Sequence, residues 1–521
     1  MINNGGFKGG GGYAYVRERL GIVSVKDFGA TGNGVTDDTA AIQAALDASR
    51  YGGVVYLPVA PYAVGGTLVV PEGVTLEGSF QAPTAGASAN GGFEEGSALI
   101  VTSTGGSATG NALITLKRNA TLRGIVIFYP NQTDTNPPIA YPYTVSAAGD
   151  SISVENCLLV NPYQGIEIVG YQRPYLRAVY MQALKQGIYL DQIYDIPRLE
   201  DIHIWPFWKV FSYDSGVGQY QLANATAYTF GDISDVFGVN LFAYGYANGI
   251  EAIASPITGG LPYGQLINID IDGSQNAINI AATALDGLKI TNLEVHTMYG
   301  TNPTGIILSG QGLLQITNAV LNGGDGSGGS QMAYANLDIQ ASAGANVMLE
   351  NIRFANCVEA AIIIANSQSN IVANNLQFNV PGTALDLSAL SSSDSNIKSF
   401  SNAMFLTASN VVNPNNAPWQ NHGQVSSLST ATVVSGTIYQ NNSGNVQTFY
   451  QPAYASTAGT AGSVAVALGT SSSPSTLYTD LIDAGTTSSV PRTLTLRVPP
   501  GWYYSFTATG ATLADAMIQG E

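Results

Sequence analysis

The sequence has few charged side chains, and basic ones are especially scarce. Only 10% of its 521 residues are charged, and 18 Lys and Arg against 35 Asp and Glu give a formal charge of −17. Proteins that bind nucleic acid need a basic patch, because much of their affinity comes from neutralising phosphates. The composition therefore argues against a nucleic-acid partner, and the overall negative field disfavours strongly anionic ligands.

Long apolar runs and cysteines are also scarce. No run approaches the roughly 18 apolar residues of a membrane span, and the first 21 residues lack the apolar core of a signal peptide. We therefore expect neither a membrane partner nor a signal peptide. The two cysteines, Cys157 and Cys357, each begin an apolar triplet after an Asn, which is typical of small buried thiols. The repeat described next places them about eight coils apart, near 40 Å, so we expect no disulfide.

What the sequence does contain is a short repeat. A six-residue pattern of apolar, any, small or Asn/Asp, apolar, any, apolar recurs at intervals of 22 to 37 residues. Its copies are LRGIVI at 122, VENCLL at 154, LRAVYM at 176, LEDIHI at 199, VFGVNL at 236, LINIDI at 266, ITNLEV at 290, ITNAVL at 316, LENIRF at 349 and ANNLQF at 373. Each copy predicts one coil of a parallel β-solenoid, because short strands that cannot bury their inner face alone are stabilised by stacking. A β-sandwich or propeller with accidental similarity is the alternative.

The third position of the repeat favours Asn, as at Asn156, Asn268 and Asn292. Coils stack about 4.8 Å apart, so these side chains are expected to form a ladder of amide hydrogen bonds at a bend. Asp201 occupies the same position and is interpreted as structural.

The segments on either side of the repeat differ from it. VTDDTAAIQAALDAS, residues 35–49, predicts an amphipathic helix with Thr36 or Asp37 as its N-cap, and such a helix can close the open end of a solenoid. Short strand-like runs separated by turns predict a small β-sandwich at the other end. The predicted domains are an N-terminal arm or attachment peptide at 1–20, the solenoid at 21–412, a linker at 413–435 and the C-terminal β-sandwich at 436–521.

The outward fifth position of successive repeats becomes polar in the middle of the solenoid. His203, Asn240, Asp270 and Glu294 are expected to form one vertical stripe. Asp270 and Glu294 fall on adjacent coils, so their carboxyls are expected about 5 Å apart, as in retaining glycosidases. Carboxylates this close also split their pKa values into one acid and one base. A solvated outer face without chemistry is the alternative.

A second outward stripe supplies further acidic candidates. Glu167, Tyr189 and Glu251 lie on it, and Asp191 and Asp195 follow Tyr189 in YLDQIYDIP. Either Glu could serve as the acid partner of a residue in the first stripe, or of a residue from a neighbouring subunit. The full set of candidate catalytic residues is Asp270, Glu294, Glu167, Glu251, Asp191 and Asp195.

Aromatic residues concentrate in LEDIHIWPFW, residues 199–208. Alternation points His203 and Trp205 outward, and Pro206 ends the strand. Exposed rings suit the CH faces of sugars, while amides and hydroxyls fix orientation. The candidate substrate-binding residues are His203, Trp205, Trp208, Tyr189, Tyr180 and Asn240. Packing of Trp205 and Trp208 beneath the loop or in a trimer interface is the alternative.

VSVKDFGATGNGVTDDTAAIQAAL, residues 23–46, resembles the N-terminal signature of the pectate-lyase-like superfamily of right-handed parallel β-helices. Within it, the chain resembles the tailspike and polysaccharide depolymerase proteins of bacteriophages, and GIYLDQIYDIPRLEDIHIWPFW is similar to a coil of that group. The resemblance implies an all-β right-handed parallel β-helix with an N-terminal capping helix and a C-terminal β-sandwich. It also implies a homotrimer in a virion tail, attached to a baseplate or adapter through its N-terminus, that binds and cleaves a bacterial capsule, exopolysaccharide or O-antigen.

The chemistry does not follow from this resemblance. The GHG and Asn-Thr-Asp triplets of polygalacturonases and the calcium-binding Asp cluster of pectate lyases are missing, so no catalytic residue is carried over and no metal or cofactor is expected. Hydrolysis is favoured over a lyase reaction, because a lyase must neutralise a uronate with a cation. The nearest candidate cations are Arg173, Arg177, Arg198 and Lys209, with His203 or a Tyr as base. A binding-only adhesin and a purely structural trimeric spike are further alternatives.

Overall fold

A computed structural model describes most of the chain. The described residues are 21–80, 96–209, 212–297, 299–324, 333–340, 344–394, 396, 398–405, 410–415, 417, 419–422, 429–442, 446–457, 460–483 and 492–520. The predicted arm at 1–20 lies outside them. The chain divides into two compact units, residues 1–346 with 355–366, and residues 347–354 with 367–521.

The first unit is built from two parallel sheets. The first sheet contains Ile22–Ser24, Gly53–Leu57, Ala60–Val64, Val74–Gly78, Ser97–Val101, Thr121–Arg123, Val126–Phe128, Ser153–Leu159, Tyr175–Met181, Arg198–Ile204, Val236–Tyr244, Gly264–Ser274, Leu288–Thr297 and Gly312–Asn322. The second contains Leu68–Val70, Ile114–Leu116, Tyr143–Ala147, Gln164–Val169, Gln186–Asp191, Thr226–Phe230, Asn248–Ala252, Asn276–Ile280, Thr304–Leu308, Ala333–Ile339 and Cys357–Ile364. From Tyr143 onward in this unit the chain visits the two sheets alternately, which confirms the predicted right-handed parallel β-helix.

The core of this unit consists of inward columns of aliphatic side chains. In one column Leu199 faces Gly238, which faces Leu266, and each position is buried. Alternation along each strand places apolar residues on this inner face, and burying them stabilises the stack. Cys157 and Cys357 are buried and free.

The predicted ladder is present at a bend in the first sheet. Asn240 donates to Asp201 at 2.7 Å, Asn268 donates to Asn240 at 2.9 Å, and Asn292 donates to Asn268 at 3.0 Å. All four residues have a left-handed backbone with φ between 55° and 57°. Asn and Asp tolerate this conformation better than other residues with a Cβ, which explains why the position favours them.

The structure corrects the predicted position of Asn240 in the repeat. This residue lies in the ladder and not in the outward stripe, where Phe242 pairs with His203 on one side and Asp270 on the other. The first apolar position of this coil is Gly238, because a Cβ there would stand 2.7 Å from Leu266 and 2.8 Å from Leu241. The apolar pattern was therefore read two residues too early.

We expect Asn268→Ala to destabilise the β-helix by about 2 kcal/mol. Two ladder hydrogen bonds are lost, and alanine is placed in a left-handed conformation. Asn279→Ala is the matched control, because Asn279 is an outward residue of the second sheet outside the ladder; its effect should stay within about 0.5 kcal/mol. Denaturant unfolding measures both, and equal midpoints for the two variants would contradict a stabilising ladder.

Within the described part of the first unit, two α-helices accompany the strands, α1 at Thr39–Ala48 and α2 at Gly216–Asn224, and a 3-10 helix spans Val25–Phe28. Helix α1 buries Ile42, Ala45 and Leu46. Neither α-helix is long and apolar enough to cross a membrane.

The N-cap of α1 is Asp38, not Thr36 or Asp37 as predicted. Asp38 makes no side-chain cap bond. Its carboxylate instead accepts hydrogen bonds from the backbone of Thr31 and Gly32, while Asp37 accepts from the Thr39 backbone. The acid pair therefore holds the start of the helix and the loop before it.

The second unit contains further parallel strands and a β-sandwich. The parallel strands are Ala345–Ala355, Asn370–Asn379, Thr383–Asp386, Lys398–Ser401, Met404–Phe405, Asn410–Val412 and Gln420–His422. One antiparallel sheet contains Ser429–Ala431, Gln447–Ala455, Arg492–Val498, Ala511–Leu513 and Ala516–Gly520, and the other Tyr439–Gln440, Gly462–Gly469, Ser475–Ile482 and Tyr503–Thr509. Phe449 and Leu496 from one sheet share a core with Val466 and Phe506 from the other. Gln420–His422 pairs in parallel with Ser399–Ser401, so regular structure continues into the predicted linker.

Candidate functional site

The outward stripe of the first sheet runs across five adjacent strands. Tyr180 pairs with His203, His203 with Phe242, Phe242 with Asp270, and Asp270 with Glu294. Neighbouring positions are separated by one coil, about 4.8 Å. The structure therefore brings Asp270 and Glu294 side by side, directly below a run of aromatic rings.

A second outward column lies two residues further along the same strands, and the sequence analysis missed it. Tyr244 pairs with Asp272, and Asp272 pairs with His296. Because side chains of a strand alternate, Asp270 and Asp272 share one face, as do Glu294 and His296. The spacing Asp-Ile-Asp and Glu-Val-His was the available signal. The two columns together form a cluster, named here the acidic site: Asp270, Asp272, Glu294 and His296.

The Asp270 carboxylate has a strongly raised pKa. Its Oδ1 atom is buried and has no hydrogen-bond partner among the described residues. Burial first, and then the negative charges of Glu294 and Asp272, raise its pKa to about 6, while His296 acts in the opposite direction. Buried polar atoms are rarely left without a partner, and a carboxylate in a cleft with a perturbed pKa is a candidate functional residue.

The neighbours of Asp270 have different surroundings. The Glu294 side chain is 55% exposed, and its Oε1 lies 3.7 Å from Nε2 of His296. Burial raises the pKa of Asp272, and His296 opposes that shift. The acidic site therefore contains two carboxylates whose pKa is raised by burial, Asp270 and Asp272, beside the solvent-exposed Glu294. Carboxylates in such unequal environments can take separate acid and nucleophile or base roles.

Aromatic rings cover the stripe beside the acidic site. His203 stacks on Phe242 with ring centroids 4.6 Å apart, and Trp205 lies 4.9 Å from Tyr244. Burial lowers the pKa of His203, which favours the neutral imidazole. A cavity of about 350 Å³ opens over Tyr180, His203, Phe242, Asn240 and Asp270. Rings above and a carboxylate below suit a sugar, whose CH face can pack on a ring while its hydroxyls bond to oxygen acceptors.

A tyrosine pair borders the acidic site. The rings of Tyr213 and Tyr299 stack with centroids 3.9 Å apart. The pKa of Tyr299 is raised by burial first, and Asp272 is among the charges that raise it further. These two tyrosines come from loops that no repeat pattern could place.

Trp208 does not line the cavity. Its side chain is buried with Phe207 in a cluster that includes Leu158 and Leu184, and its backbone N–H donates to Gln182 at 2.8 Å. The predicted binding role of Trp208 is therefore replaced by packing beneath the loop. Trp205 is partly buried against the same cluster and keeps its contact with Tyr244.

The second sheet carries its own stripe, away from the acidic site. Glu167 pairs with Tyr189, Tyr189 with Thr229, and Thr229 with Glu251. Three coils separate the two glutamates, about 14 Å, which is too far for a shared bond cleavage. Burial raises the pKa of both Glu167 and Glu251.

Asp191 and Asp195 are held by structural contacts. Asp191 is fully buried, and its carboxylate accepts hydrogen bonds from the backbone of Gln192 and Asp232 and from the hydroxyls of Ser255 and Tyr189. A substrate has no access to it, so we assign it a structural role. Asp195 forms an exposed ion pair with Arg173 at 2.6 Å.

Among the described residues, no group of three or more His, Cys, Asp or Glu side chains has the geometry to hold a metal ion.

A family model matches the start of the β-helix. Residues 22–202, about a third of the chain, match the family described as rhamnogalacturonase A/epimerase, pectate lyase-like. Residues 22–202 are therefore similar to pectate-lyase-like domains. The matched residues include the capping helix α1 and the first five residues of the strand Arg198–Ile204. The match ends before Asp270.

Curated relatives match the chain over short segments. Mannuronan C5-epimerase AlgE1 of Azotobacter vinelandii is 64% identical over 45 residues, 8% of this chain and 3% of that protein. AlgE4 of the same organism is 49% identical over 65 residues, 11% of this chain and 12% of that protein. The matches thus span a small fraction of these relatives' length.

Solved structures similar to the chain include a mutant tailspike protein of E. coli bacteriophage HK620 in complex with a hexasaccharide. It is 10% identical, with a TM-score of 0.47, and the match covers 98% of this chain and 94% of that one. The A-module of mannuronan C-5 epimerase AlgE6 from Azotobacter vinelandii is 16% identical, with a TM-score of 0.43, covering 78% and 99%.

Proposed function

We propose that the chain is a glycoside hydrolase that cleaves a polysaccharide at the acidic site. The observation that carries the proposal is the pair Asp270 and Glu294 on adjacent strands, one desolvated and one solvent-exposed, beside a ring-lined cavity. Paired carboxylates of unequal environment are the machinery of most glycosidases, and a separation near 5 Å suits the retaining reaction.

Each residue of the pair has one role in the proposed reaction. Protonated Asp270 donates its proton to the glycosidic oxygen as the bond from that oxygen to the anomeric carbon breaks. The Glu294 carboxylate attacks the anomeric carbon and forms a glycosyl ester. Asp270, now ionised, then takes a proton from water, whose oxygen displaces Glu294 and releases the sugar.

We further propose that the substrate is a neutral or weakly charged polymer. No Lys or Arg occurs among the described residues lining the cavity, and the acidic site repels anions. Arg173, a candidate cation for a lyase, is engaged by Asp195 and Asp150. These contacts favour hydrolysis over elimination, which requires neutralisation of a uronate.

The biological setting is proposed from the family resemblance of residues 23–46. In this proposal the chain is a bacteriophage tailspike that acts in the virion tail as a homotrimer, and its substrate is a bacterial capsule, exopolysaccharide or O-antigen. Attachment to a baseplate or adapter would use the N-terminal arm at 1–20.

Incubation with a panel of purified bacterial surface polysaccharides tests this function. We expect size-exclusion chromatography to show fragmentation of at least one neutral polymer and of no polyuronate. Fragmentation of polyuronates alone would contradict the proposed substrate class. Absence of any cleavage, together with binding on a glycan array, would support the non-catalytic alternative.

The pH dependence should report Asp270 as the acid. Its proton is present below the pKa of about 6 and is lost above it, so kcat/KM should fall as pH rises through about 6. Asp272→Asn removes a like charge and should move this limb to lower pH. His296→Gln removes a group that lowers the pKa of Asp270 and should move the limb to higher pH. Initial rates between pH 4 and 9 give the pH profile of the unaltered chain and of both variants. If the two variants shifted the profile in the same direction, the assignment of Asp270 as the acid would be contradicted.

A further inference from the structure

A second cavity lies near the N-terminal end of the β-helix and has no residue in common with the acidic-site cavity. It encloses about 330 Å³. Its floor contains Tyr129 and Tyr141, whose rings meet edge to face with centroids 4.8 Å apart. Tyr143, the first residue of the strand Tyr143–Ala147, forms part of its wall.

The rim of this cavity is polar but uncharged. Thr67, Ser103 and Asn111 are exposed residues of its lining, and they supply hydroxyl and amide groups. No Asp, Glu, Lys, Arg or His occurs among the described lining residues. An apolar floor with a few convergent polar groups is the usual composition of a small-molecule site.

The surroundings of the rim select against an anionic ligand. Gly65 belongs to the lining, its N–H donates to Oδ1 of Asp37, and a methyl group placed on it would stand 3.1 Å from Oδ2 of Asp37. That carboxylate would repel a uronate or phosphate, while it can accept hydrogen bonds from neutral hydroxyls. A sugar without charge combines hydroxyls for the rim with a CH face for the partly exposed side chains of Pro142 and Tyr143 in the lining.

The floor of the cavity is preorganised. The Tyr141 hydroxyl donates to the Ser103 carbonyl at 3.1 Å, and the Tyr129 hydroxyl bonds to Thr144 at 2.8 Å. Both rings are buried and fixed before a ligand arrives, so binding would cost little side-chain entropy. The volume lies at the low end of the roughly 300–1,000 Å³ range of ligand pockets, which suits one or two sugar units.

We propose that this cavity binds a neutral sugar unit without cleaving it. It contains no carboxylate pair, so a bound sugar is held and released intact. The proposal does not depend on hydrolysis at the acidic site. If both hold, the cavity gives the protein a second point of attachment to a polymer, which raises residence on the substrate by effective concentration.

Saturation-transfer difference NMR on the full chain tests the proposal with six uncharged probes: glucose, galactose, rhamnose, N-acetylglucosamine, maltose and lactose. We expect at least one probe to bind, and Thr67→Trp, which places a ring in the mouth of the cavity, to weaken its binding by about tenfold or more. Val59→Trp is the control, because Val59 is 63% exposed and does not line the cavity. The Val59→Trp variant should bind the probe sugar as tightly as the unaltered chain does.

A third variant separates this site from the acidic site. The double variant Asp270→Asn/Glu294→Gln should retain binding of the probe that Thr67→Trp loses. Binding that survives Thr67→Trp and disappears in the double variant would place the sugar at the acidic site and overturn the proposal, while leaving the catalytic one intact. Absence of binding by all six probes would also overturn it.

Discussion

Asp270→Asn and Glu294→Gln should each lower kcat/KM for polysaccharide cleavage by about 10³-fold or more, with the fold retained. Loss of a positioned acid removes about 10²–10⁴ in rate, and loss of the nucleophile prevents formation of the glycosyl ester. Both changes are nearly isosteric. Since burial and like charges disfavour ionised Asp270, Asp270→Asn should not destabilise the protein at neutral pH.

Glu251→Gln is the matched control for these variants. Glu251 is also an outward glutamate whose pKa is raised by burial, but it lies on the second sheet, three coils from Glu167 and away from Asp270. The Glu251→Gln variant should cleave the polymer at a rate within about twofold of the unaltered chain. This corresponds to a change in activation free energy well under the ~1.4 kcal/mol that would change a rate tenfold. Full activity in Asp270→Asn and Glu294→Gln would overturn the assignment and direct attention to Glu167, Glu251 and Asp195.

Lys398→Met should produce the largest loss of stability, about 3–5 kcal/mol. The Lys398 and Asp394 side chains are 0% and 1% exposed, their charged atoms lie 3.2 Å apart, and Nζ also donates to the Ser369 carbonyl at 2.7 Å. Removing the cation leaves a buried carboxylate whose Oδ2 has no hydrogen-bond partner among the described residues. An unpaired buried charge costs far more than the pair itself contributes.

Two further variants test the origin of that loss. Arg492→Met breaks an exposed ion pair with Asp480 and should cost less than about 1 kcal/mol. The double replacement Lys398→Met/Asp394→Leu removes both charges and should recover most of the stability lost in the single variant. Thermal and denaturant unfolding measure these effects. Equal losses for Lys398→Met and Arg492→Met would contradict the buried-pair account.

The fold was predictable because its main determinant is periodic. The repeat gives a coil an inner apolar face and an Asn at the bend. Because one coil separates Asn268 from Asn292, their side chains lie close enough to form a hydrogen bond. The predicted register was wrong at Gly238, where a glycine interrupts the apolar pattern of the repeat. At Gly238 the side chains of Leu266 and Leu241 occupy the space of the expected apolar residue, so the pattern shifted and placed Asn240 in the wrong column.

The candidate site was predictable only in part. Adjacent coils were sufficient to pair Asp270 with Glu294. Asp272 and His296 lie two residues further along the same strands, beyond the six-residue repeat, so the repeat did not predict them. Buried Asp191 accepts a hydrogen bond from the Ser255 hydroxyl, which lies 64 residues away in the sequence. Buried Trp208 lies in a loop whose backbone donates a hydrogen bond to Gln182. Contacts of this kind come from loops of irregular length, which carry no periodic signal.

Cleavage in ¹⁸O-labelled water distinguishes hydrolysis at Asp270 and Glu294 from elimination. A polymer that the chain degrades is incubated in labelled water, and the fragments are analysed by mass spectrometry beside those of Asp270→Asn. Hydrolysis should add one water to each cleaved bond, with the label at the new reducing end, and Asp270→Asn should form few fragments. Unlabelled fragments that lack this water and carry a double bond would establish elimination and contradict the account.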